Sequence, residues 1–300
     1  MKRFLFQLSL FSLLVLGAFF FVLSRADGTI DTFYLRFTTP QQESLIIGTS
    51  RAAQGLQPKV LNDVCQARLY NYAFTVSHSP FGETYFNSIK RKLKKGNTQG
   101  TFIVTVDPWS ISSETADPNQ AAEFRELDLC VANTKFVNAN PNFAYLLNNL
   151  GGEYYKALSQ KRSYWLLHDD GWLQIDIGMD PLQVEERRRK KIDLYRSERL
   201  PQYQFSSVRF EYLKKTIELL NDHGQVFLVR MPVHPEMLEL EREFMPDFND
   251  RIGELSSMCK GYLDMTPQGQ KYEYTDCHHL YKSSGELVSR EIGLWINKKR

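Results

Sequence analysis

Three residues that lie far apart in the chain carry the side chains of a serine nucleophile system. Ser50 ends the run LIIGTS, and Asp276 and His279 are three positions apart in the segment DCHH. A serine hydroxyl is a poor nucleophile at neutral pH and needs an adjacent base, and that base needs an acceptor that fixes its tautomer. The pattern predicts Ser50 as the nucleophile, His279 as the base and Asp276 as the carboxylate that orients the base.

The elements that must position these side chains are predicted to be alternating strands and helices. The apolar run 44–47 is typical of a buried strand that delivers Ser50 to the carboxyl edge of a sheet, where open α/β sheets bind their ligands. Further strands are predicted at 68–74, 101–106, 226–229 and 262–265, and helices at 83–95, 213–224, 248–259 and 288–296. This order predicts an α/β fold, a three-layer α/β/α sandwich with a mostly parallel sheet.

The amino-terminal segment differs from the rest of the chain in its hydropathy. Residues 4–23 are largely apolar and follow Lys2 and Arg3. A helix of this length would be roughly 30 Å long, which matches one bilayer core. The leading positive charges favour a cytoplasmic amino terminus and an exported body. We therefore predict a single-pass protein of the cytoplasmic membrane whose larger part is periplasmic or extracellular.

The predicted organisation is an anchor at 1–25, a stem at 26–43 and one α/β domain at 44–300. A cleaved signal peptide is the alternative to an anchor, because residues 24–26 have the small-x-small spacing of a cleavage site. Within the domain, the segment 110–207 is polar and aromatic, has few regular periods and is too long for an ordinary loop. We predict that it is a cap inserted over the site.

Charge and cysteine usage narrow the range of partners. A net charge of +2 over 300 residues is too small to suggest a nucleic-acid partner. The basic cluster at 90–95 is predicted to be a solvated helix face, with a phosphate or headgroup site as the alternative. The four cysteines lack the close paired spacing of a metal site. A disulfide between Cys259 and Cys277 is conceivable in an exported protein, and free buried thiols are the alternative.

Two of these motifs carry a resemblance to a known family. Gly48-Thr49-Ser50 resembles the first block of the SGNH (GDSL-like) hydrolase superfamily, and Asp276-x-x-His279 resembles its last block. Together with the anchor, they are most similar to the membrane-anchored branch that transfers or removes acyl groups on bacterial surface polymers, which includes proteins of alginate O-acetylation and of teichoic-acid D-alanylation. The resemblance covers about residues 44–109 and 208–297, and the segment between them is not explained by it.

The resemblance implies an exported serine esterase or O-acyltransferase that acts on a cell-envelope polysaccharide or glycan. It implies no cofactor, and it suggests a membrane-bound O-acyltransferase as a partner. The second hypothesis comes from another class: a noncatalytic envelope protein that keeps the fold to bind glycan or to scaffold a polysaccharide modification or export complex.

The oxyanion hole is where the chain departs from the family pattern. The superfamily supplies a glycine amide and an asparagine side chain, but no Gly-x-Asn-Asp motif is present and the strand end that should carry the asparagine has Asp107. Losing one such donor typically lowers the rate by about 100-fold to 1000-fold. The candidate substitutes are Gly48, the Ser50 amide, Asn71 and the loop 77–82 with Ser79. The sequence does not choose among them.

Several other residues are predicted at the same sheet edge. The candidates for substrate contacts are Arg51, Asp107, Arg230 and His234, the last two in a segment for which a proline-stiffened loop is the alternative. Trp109, Trp165, Trp172 and the turn 168–172 are further candidates, with core packing or an exposed turn as alternatives. His278 beside His279 does not predict a metal site, because adjacent side chains point apart and no third ligand is evident.

Overall fold

The computed structural model describes residues 1–159 and 164–300, and it has the predicted α/β architecture. The strands are β1 Ser44–Ile47, β2 Leu69–Asn71, β3 Gly100–Thr105, β4 Ser112–Ser113, β5 Trp165–Leu167, β6 Leu173–Ile175, β7 Gln204–Phe205, β8 Gly224–Arg230 and β9 Tyr262–Asp264. The helices are α1 Lys2–Leu23, α2 Ser50–Gly55, α3 Pro58–Cys65, α4 Glu83–Lys92, α5 Cys130–Asn133, α6 Phe143–Asn149, α7 Lys156–Ser159, α8 Pro181–Leu194, α9 Leu200–Gln202, α10 Ser207–Asn221, α11 Pro235–Phe244, α12 Phe248–Ser256 and α13 Lys282–Lys299.

The main sheet has five parallel strands in the order β2-β1-β3-β8-β9. Because side chains alternate along a strand, each central strand supplies two faces. Leu45 and Phe102 lie in a core with α4, α10 and α12, whereas Ile46 and Ile103 lie in a second core with α2, α3 and α13. The prediction of a three-layer sandwich is therefore confirmed.

β1 is a central strand of this sheet, and its position determines where the residues that follow it, Gly48 to Ser50, lie. β1 pairs with β2 on one side and with β3 on the other, and β3 pairs with β8. The residues that follow β1, β3 and β8 must therefore meet at one carboxyl edge. This edge is the ligand-binding edge of an open α/β sheet.

The segment 110–207, predicted as a cap, divides into two parts. Residues in α8 and in the π-helical turn Tyr195–Arg199 line a cavity beside Ser50. The part containing α6 and α7 lies instead against α1. Between them, β5 and β6 form an antiparallel hairpin whose turn carries Gly171. The first part therefore lines the cavity beside Ser50, and the hairpin contacts α2.

Residues 26–43, predicted as a stem, pack against the α/β domain. Tyr34, Arg36 and Phe37 are fully buried. The Arg36 guanidinium donates to the Asn71 carbonyl at 3.3 Å and to the Gly171 carbonyl at 2.7 Å. Leu23, the last residue of α1, is also fully buried in the same core. The domain therefore begins where the apolar helix ends.

The basic cluster at 90–95 includes a buried lysine, which corrects the prediction of a uniformly solvated face. Lys92 is fully buried, and its Nζ donates to the carbonyls of Arg36, Thr39 and Val137 at 2.6–2.9 Å and to the Thr39 hydroxyl at 2.7 Å. The sequence pattern did not reveal this, because the acceptors belong to segments distant in the chain. Lys92 thus ties the end of α4 to residues 36–39.

Burial lowers the pKa of Lys92 to about 7, and this predicts a pH dependence of stability. An unfolded lysine keeps its proton up to about pH 10.4, so between these values the unfolded state binds more protons and stability rises with pH. We expect the free energy of unfolding of the wild type to rise relative to that of Lys92→Met by up to about 1 kcal/mol per pH unit between pH 7 and 9. Denaturant titrations at several pH values measure this difference.

Lys90→Met is the matched control, because Lys90 lies on the same helix and is exposed. It should keep the pH profile of the wild type. Parallel profiles for the wild type and Lys92→Met would contradict the prediction and would mean that the four oxygen acceptors hold the Lys92 ammonium in its charged form.

The cysteines are free thiols. Cys65, Cys130 and Cys277 are buried and Cys259 is partly exposed. Burial raises the pKa of Cys65, which makes its thiolate scarce at neutral pH. The open choice between a Cys259–Cys277 disulfide and free thiols is thus decided for free thiols.

Candidate active site

Ser50 stands at a sharp turn from strand to helix. β1 ends at Ile47, Gly48 has φ +152°, Thr49 is the extended residue before the helix, and Ser50 is the first residue of α2. A Cβ on Gly48 would lie 1.8 Å from Thr105 Oγ1, so a glycine is required there by both backbone conformation and space. The turn places the Ser50 side chain at the carboxyl edge of the sheet.

Asp276, His279 and Ser50 form a continuous hydrogen-bonded relay. His279 Nδ1 lies 2.8 Å from Asp276 Oδ2, and His279 Nε2 lies 2.8 Å from Ser50 Oγ. With the proton on Nδ1 donated to Asp276, Nε2 accepts the hydrogen of the Ser50 hydroxyl. The structure thus brings together the three residues that the sequence predicted, although 229 positions separate Ser50 from His279.

Asp276 also organises the turn that carries the histidine. Its Oδ1 accepts the amides of His278 and His279, each at 2.9 Å. Burial by itself raises the pKa of Asp276, but the neighbouring His279 and His278 and these hydrogen bonds outweigh it, so the pKa lies well below its usual value. Asp276 is therefore ionised at neutral pH and is a permanent acceptor for His279.

The His278 side chain is not a link in this relay, although its ring centroid lies 4.1 Å from that of His279 and it lines the cavity beside Ser50. It is buried, and its Nδ1 lies 3.4 Å from Cys277 Sγ. Burial lowers the pKa of His278 well below its usual value, so the ring is neutral. Of the two adjacent histidines, His279 is the one that contacts both Ser50 and Asp276.

Asp276, His278 and His279 have donor atoms within 4.8 Å of one another, which is the spacing of a metal-ligand group. Both ring nitrogens of His279 are already engaged, one with Asp276 and the other with Ser50. A cation bound here would have to break the relay. The geometry therefore fits an acid–base relay better than a metal site.

Three of the predicted oxyanion donors are committed elsewhere, which corrects their assignment. Asn71 Nδ2 donates to the carbonyls of Ala52 and Leu56 at 2.8 and 2.9 Å, so both of its hydrogens hold the end of α2. The Gly48 amide donates to Tyr85 Oη at 3.2 Å. In Ser79, the hydroxyl donates to the Gly48 carbonyl at 2.8 Å and the amide donates to the Thr75 carbonyl at 2.9 Å.

In the loop 77–82, the amides of His78 and Phe81 also donate elsewhere, to the carbonyls of Thr75 and Ser110 at 2.9 Å. The Ser50 amide is the predicted donor that belongs to the nucleophile itself. As the first amide of α2 it has no acceptor within the helix, and it lies at the positive end of the helix dipole. An oxygen that develops negative charge next to Ser50 can accept this N–H. The sequence could not separate Ser50 from Asn71 or Ser79, because each is a polar residue near a strand end.

Asp107 stabilises the turn between β1 and α2 that carries Ser50. Its Oδ1 accepts the Ser110 amide at 2.9 Å and its Oδ2 accepts the Thr49 hydroxyl at 3.1 Å. Burial raises the pKa of Asp107, and the nearby Arg51 guanidinium opposes this shift. Asp107 lines the cavity beside Ser50, and each of its oxygens already accepts one hydrogen bond from within the protein. It is therefore placed to hold Thr49 rather than to provide an oxyanion donor.

Arg51 and Arg230, predicted as substrate contacts, are joined by a buried carboxylate. Glu241 on α11 is fully buried and lies 2.5 Å from Arg51 Nη2 and 2.9 Å from Arg230 Nη2. Arg230 Nη1 donates to Asn249 Oδ1 at 3.0 Å. Arg230 is thus a structural ion-pair partner, which corrects the prediction, whereas Arg51 still lines the cavity beside Ser50.

Glu241 is a residue that sequence reasoning missed. The proline-stiffened loop was predicted at 230–235 and no element was assigned directly after it, but Pro235–Phe244 forms α11. A glutamate four residues after Met237 lies on the apolar side of such a helix, and this position was the available signal of a buried charge. The two arginine partners could not be inferred from it.

His234, also predicted as a substrate contact, begins α11 and lies away from Ser50. Its Nε2 is 3.0 Å from Arg188 Nη1, and it lines a separate cavity of about 360 Å³ that Asp276 also lines. Burial and the Arg188 charge lower the pKa of His234. The two cavities thus reach the two ends of the relay, one at Ser50 and one at Asp276.

The cavity beside Ser50 has a volume of about 190 Å³. One wall comes from Thr49, Ser50, Arg51, Asp107 and Trp109, and a second wall comes from Lys191, Leu194, Tyr195 and Arg199. Thr75, Val76 and His278 complete the lining. The second wall belongs to the irregular segment 110–207, where the sequence contained no motif that could identify it. The volume of the cavity suits a small acyl group rather than a long acyl chain.

The tryptophans predicted as sugar contacts divide between packing and the cavity wall. Trp109 stacks on Phe244 with ring centroids 4.5 Å apart and also lines the cavity. Trp172 stacks on His168 at 4.7 Å and donates from Nε1 to the Gln54 carbonyl at 2.8 Å, so it supports α2. Trp165 lies in β5.

Neither a scan against protein-family models nor a search of curated proteins gives a match for this chain. The resemblance to SGNH hydrolases therefore continues to rest on the two motifs described above. The function has to be argued from the geometry of Ser50, His279 and Asp276.

Proposed function

We propose that this protein is a membrane-tethered serine esterase or O-acyltransferase of the SGNH type. The observation that carries the proposal is the relay from Asp276 through His279 to Ser50, with both links at 2.8 Å. Hydrogen-bond contact between nucleophile and base, and between base and carboxylate, is the signature of nucleophilic catalysis. A serine at a strand–helix turn on the carboxyl edge of a parallel sheet is also accessible to a ligand.

The proposed reaction has two halves. Ser50 Oγ attacks the carbonyl carbon of an acyl ester while its proton passes to His279 Nε2, and the Ser50 amide stabilises the oxyanion. The intermediate collapses, the alcohol leaves with the proton from His279, and an acyl-enzyme remains. Water or a sugar hydroxyl then attacks the acyl-enzyme with His279 as the base, which restores Ser50.

The substrate class follows from location and cavity size. α1 is long and apolar enough to span a membrane, so a domain placed on its outer side would work close to lipid-linked or envelope-bound glycan. The cavity of about 190 Å³ accommodates a small acyl group beside Ser50. A membrane-bound O-acyltransferase partner would supply that group if the protein is a transferase.

Labelling by a fluorophosphonate tests the nucleophile directly. The full chain in nanodiscs is expected to form a covalent adduct at Ser50, detected by mass spectrometry of the labelled peptide. Ser50→Ala should abolish the adduct and His279→Ala should slow its formation. Absence of labelling in folded wild-type protein would contradict the proposal.

A noncatalytic glycan-binding role is the second candidate. It is favoured by the commitment of Gly48, Asn71 and Ser79 to other acceptors, because this leaves few donors for an oxyanion hole. Such a protein would bind envelope glycan equally well with Ser50 or with alanine at this position, and it would show no ester turnover. Glycan binding and turnover measured on the same two proteins separate the two candidates.

A further inference from the structure

The exposed apolar side chains outside α1 are concentrated in one region of the described chain. Apart from Met1, which precedes α1, nine large apolar side chains of the described residues are exposed outside that helix, and six of them lie between residues 127 and 164. These six are Leu127, Phe136, Leu147, Tyr155, Leu158 and Tyr164. The others, Leu182, Leu287 and Leu294, lie on α8 and α13. A cluster of exposed apolar side chains marks a surface that another phase or molecule covers.

This region is joined to the end of α1. The ring of Phe19 packs on Tyr154 with centroids 5.1 Å apart, and Phe20 packs on Phe143 at 5.0 Å. Leu147 follows Phe143 by one turn of α6 and therefore lies on the same side of that helix. Of the six exposed side chains, Leu147 on α6, Leu158 on α7 and Tyr155 next to Tyr154 therefore belong to the elements that contact the end of α1.

The depth of these contacts relative to a bilayer follows from the length of α1. Its 22 residues span about 33 Å, which is close to the roughly 30 Å of a hydrocarbon core. Phe19 and Phe20 lie within four residues, or about 6 Å, of its carboxyl end. Side chains that pack on them must therefore lie near the boundary between acyl chains and headgroups, where tyrosine is favoured.

The connection between α1 and the domain leaves little freedom of orientation. Leu23 is buried in the core, and Arg36 and Lys92 fasten the following segment to the sheet and to α4. The domain cannot move away from the bilayer on a loose tether while these contacts persist. Lipid that surrounds the carboxyl end of α1 would therefore also contact α6 and α7.

We propose that Leu147, Tyr155 and Leu158 form a lipid-contacting face that rests in the headgroup region of the bilayer around α1. We call this set the interfacial face. It holds the domain at two points, α1 and the interfacial face, and so fixes the height and tilt of Ser50 above the membrane. The inference rests on α1 as a membrane span and is independent of the proposed ester chemistry.

Fluorescence quenching on the full chain in nanodiscs tests the interfacial face. The nanodiscs contain phosphatidylethanolamine and phosphatidylglycerol, and Cys259→Ala removes the partly exposed thiol. A bimane label is placed in turn at Leu147→Cys and Leu158→Cys. Lipids that carry a quencher near the headgroup are expected to quench both labels at least about twofold more than labels at the controls, and aqueous iodide should quench them less.

The matched controls are Leu287→Cys and Leu294→Cys, whose exposures of 53% and 51% resemble the 42% of Leu147 and the 60% of Leu158. All four positions are exposed, and thermal unfolding checks that each labelled protein is folded. Quenching of the Leu147 and Leu158 labels by iodide to the level of the controls would overturn the proposal. Protection from both quenchers would also overturn it, because protein would then cover this surface.

Discussion

Replacement of Ser50 by alanine is expected to lower the turnover of an acyl ester by about 10⁴-fold or more, because no other atom can form the acyl-enzyme. His279→Ala should produce a similar loss, since His279 Nε2 is the base 2.8 Å from Ser50 Oγ. The double variant should be no less active than either single variant, because the two residues act as one unit. Steady-state hydrolysis of a small acetyl ester measures all three.

Two matched controls distinguish loss of the relay from general damage. Ser283→Ala removes an exposed hydroxyl at the start of α13. His223→Ala removes an imidazole just before β8, at the amino-terminal edge of the parallel sheet, whereas Ser50 lies at the carboxyl edge. Both should retain turnover within about twofold, as surface changes usually do. Wild-type turnover in Ser50→Ala would disprove the assignment of the nucleophile, whatever the controls show.

The second large effect is expected at Glu241. Glu241→Gln leaves Arg51 and Arg230 as buried cations whose shared carboxylate is gone. Breaking a buried ion pair by removing one partner typically lowers the free energy of unfolding by about 3–5 kcal/mol. We expect a loss of this size in denaturant titrations of the full chain in detergent.

The same helix provides the control for Glu241. Glu239→Gln alters an exposed carboxylate on α11 and should change the free energy of unfolding by less than about 0.5 kcal/mol. Because Arg51 follows Ser50 directly, Glu241→Gln should also reduce turnover in the folded fraction. A stability loss no larger than that of Glu239→Gln would mean that the two arginines are compensated by other groups.

The fold could be predicted largely from local patterns. Apolar runs at 44–47, 101–106 and 226–229 predicted the central strands. A central strand of a parallel sheet is covered by helices on both faces, so nearly all of its side chains are apolar. The helix predicted at 83–95 ends at Lys92, because the backbone of the next residue, Leu93, is extended. Helix ends depend on competition among weak terminal interactions, so their positions are less determined by sequence than the elements themselves.

The site was predictable for a different reason. A serine, a histidine and a carboxylate must be present in any relay of this kind, and the three-residue spacing of Asp276 and His279 lets one turn hold both. Asn71, Ser79 and Arg230 were predicted at the right edge of the sheet but with the wrong partners. A polar side chain at a strand end can face a ligand or a neighbouring carbonyl with equal ease, and its sequence position is the same in both cases.

The sequence by itself determined the parallel α/β sandwich, the apolar amino-terminal helix and the three residues of the relay, because periodicity, length and residue chemistry are local properties. Only the tertiary structure decided that Glu241 joins Arg51 to Arg230, that Lys92 is buried, and that Lys191 and Tyr195 line the cavity beside Ser50. Each of these contacts joins residues that are distant in the chain. Their energies depend on burial and on partners brought close by folding, and neither quantity can be read from the residues one segment at a time.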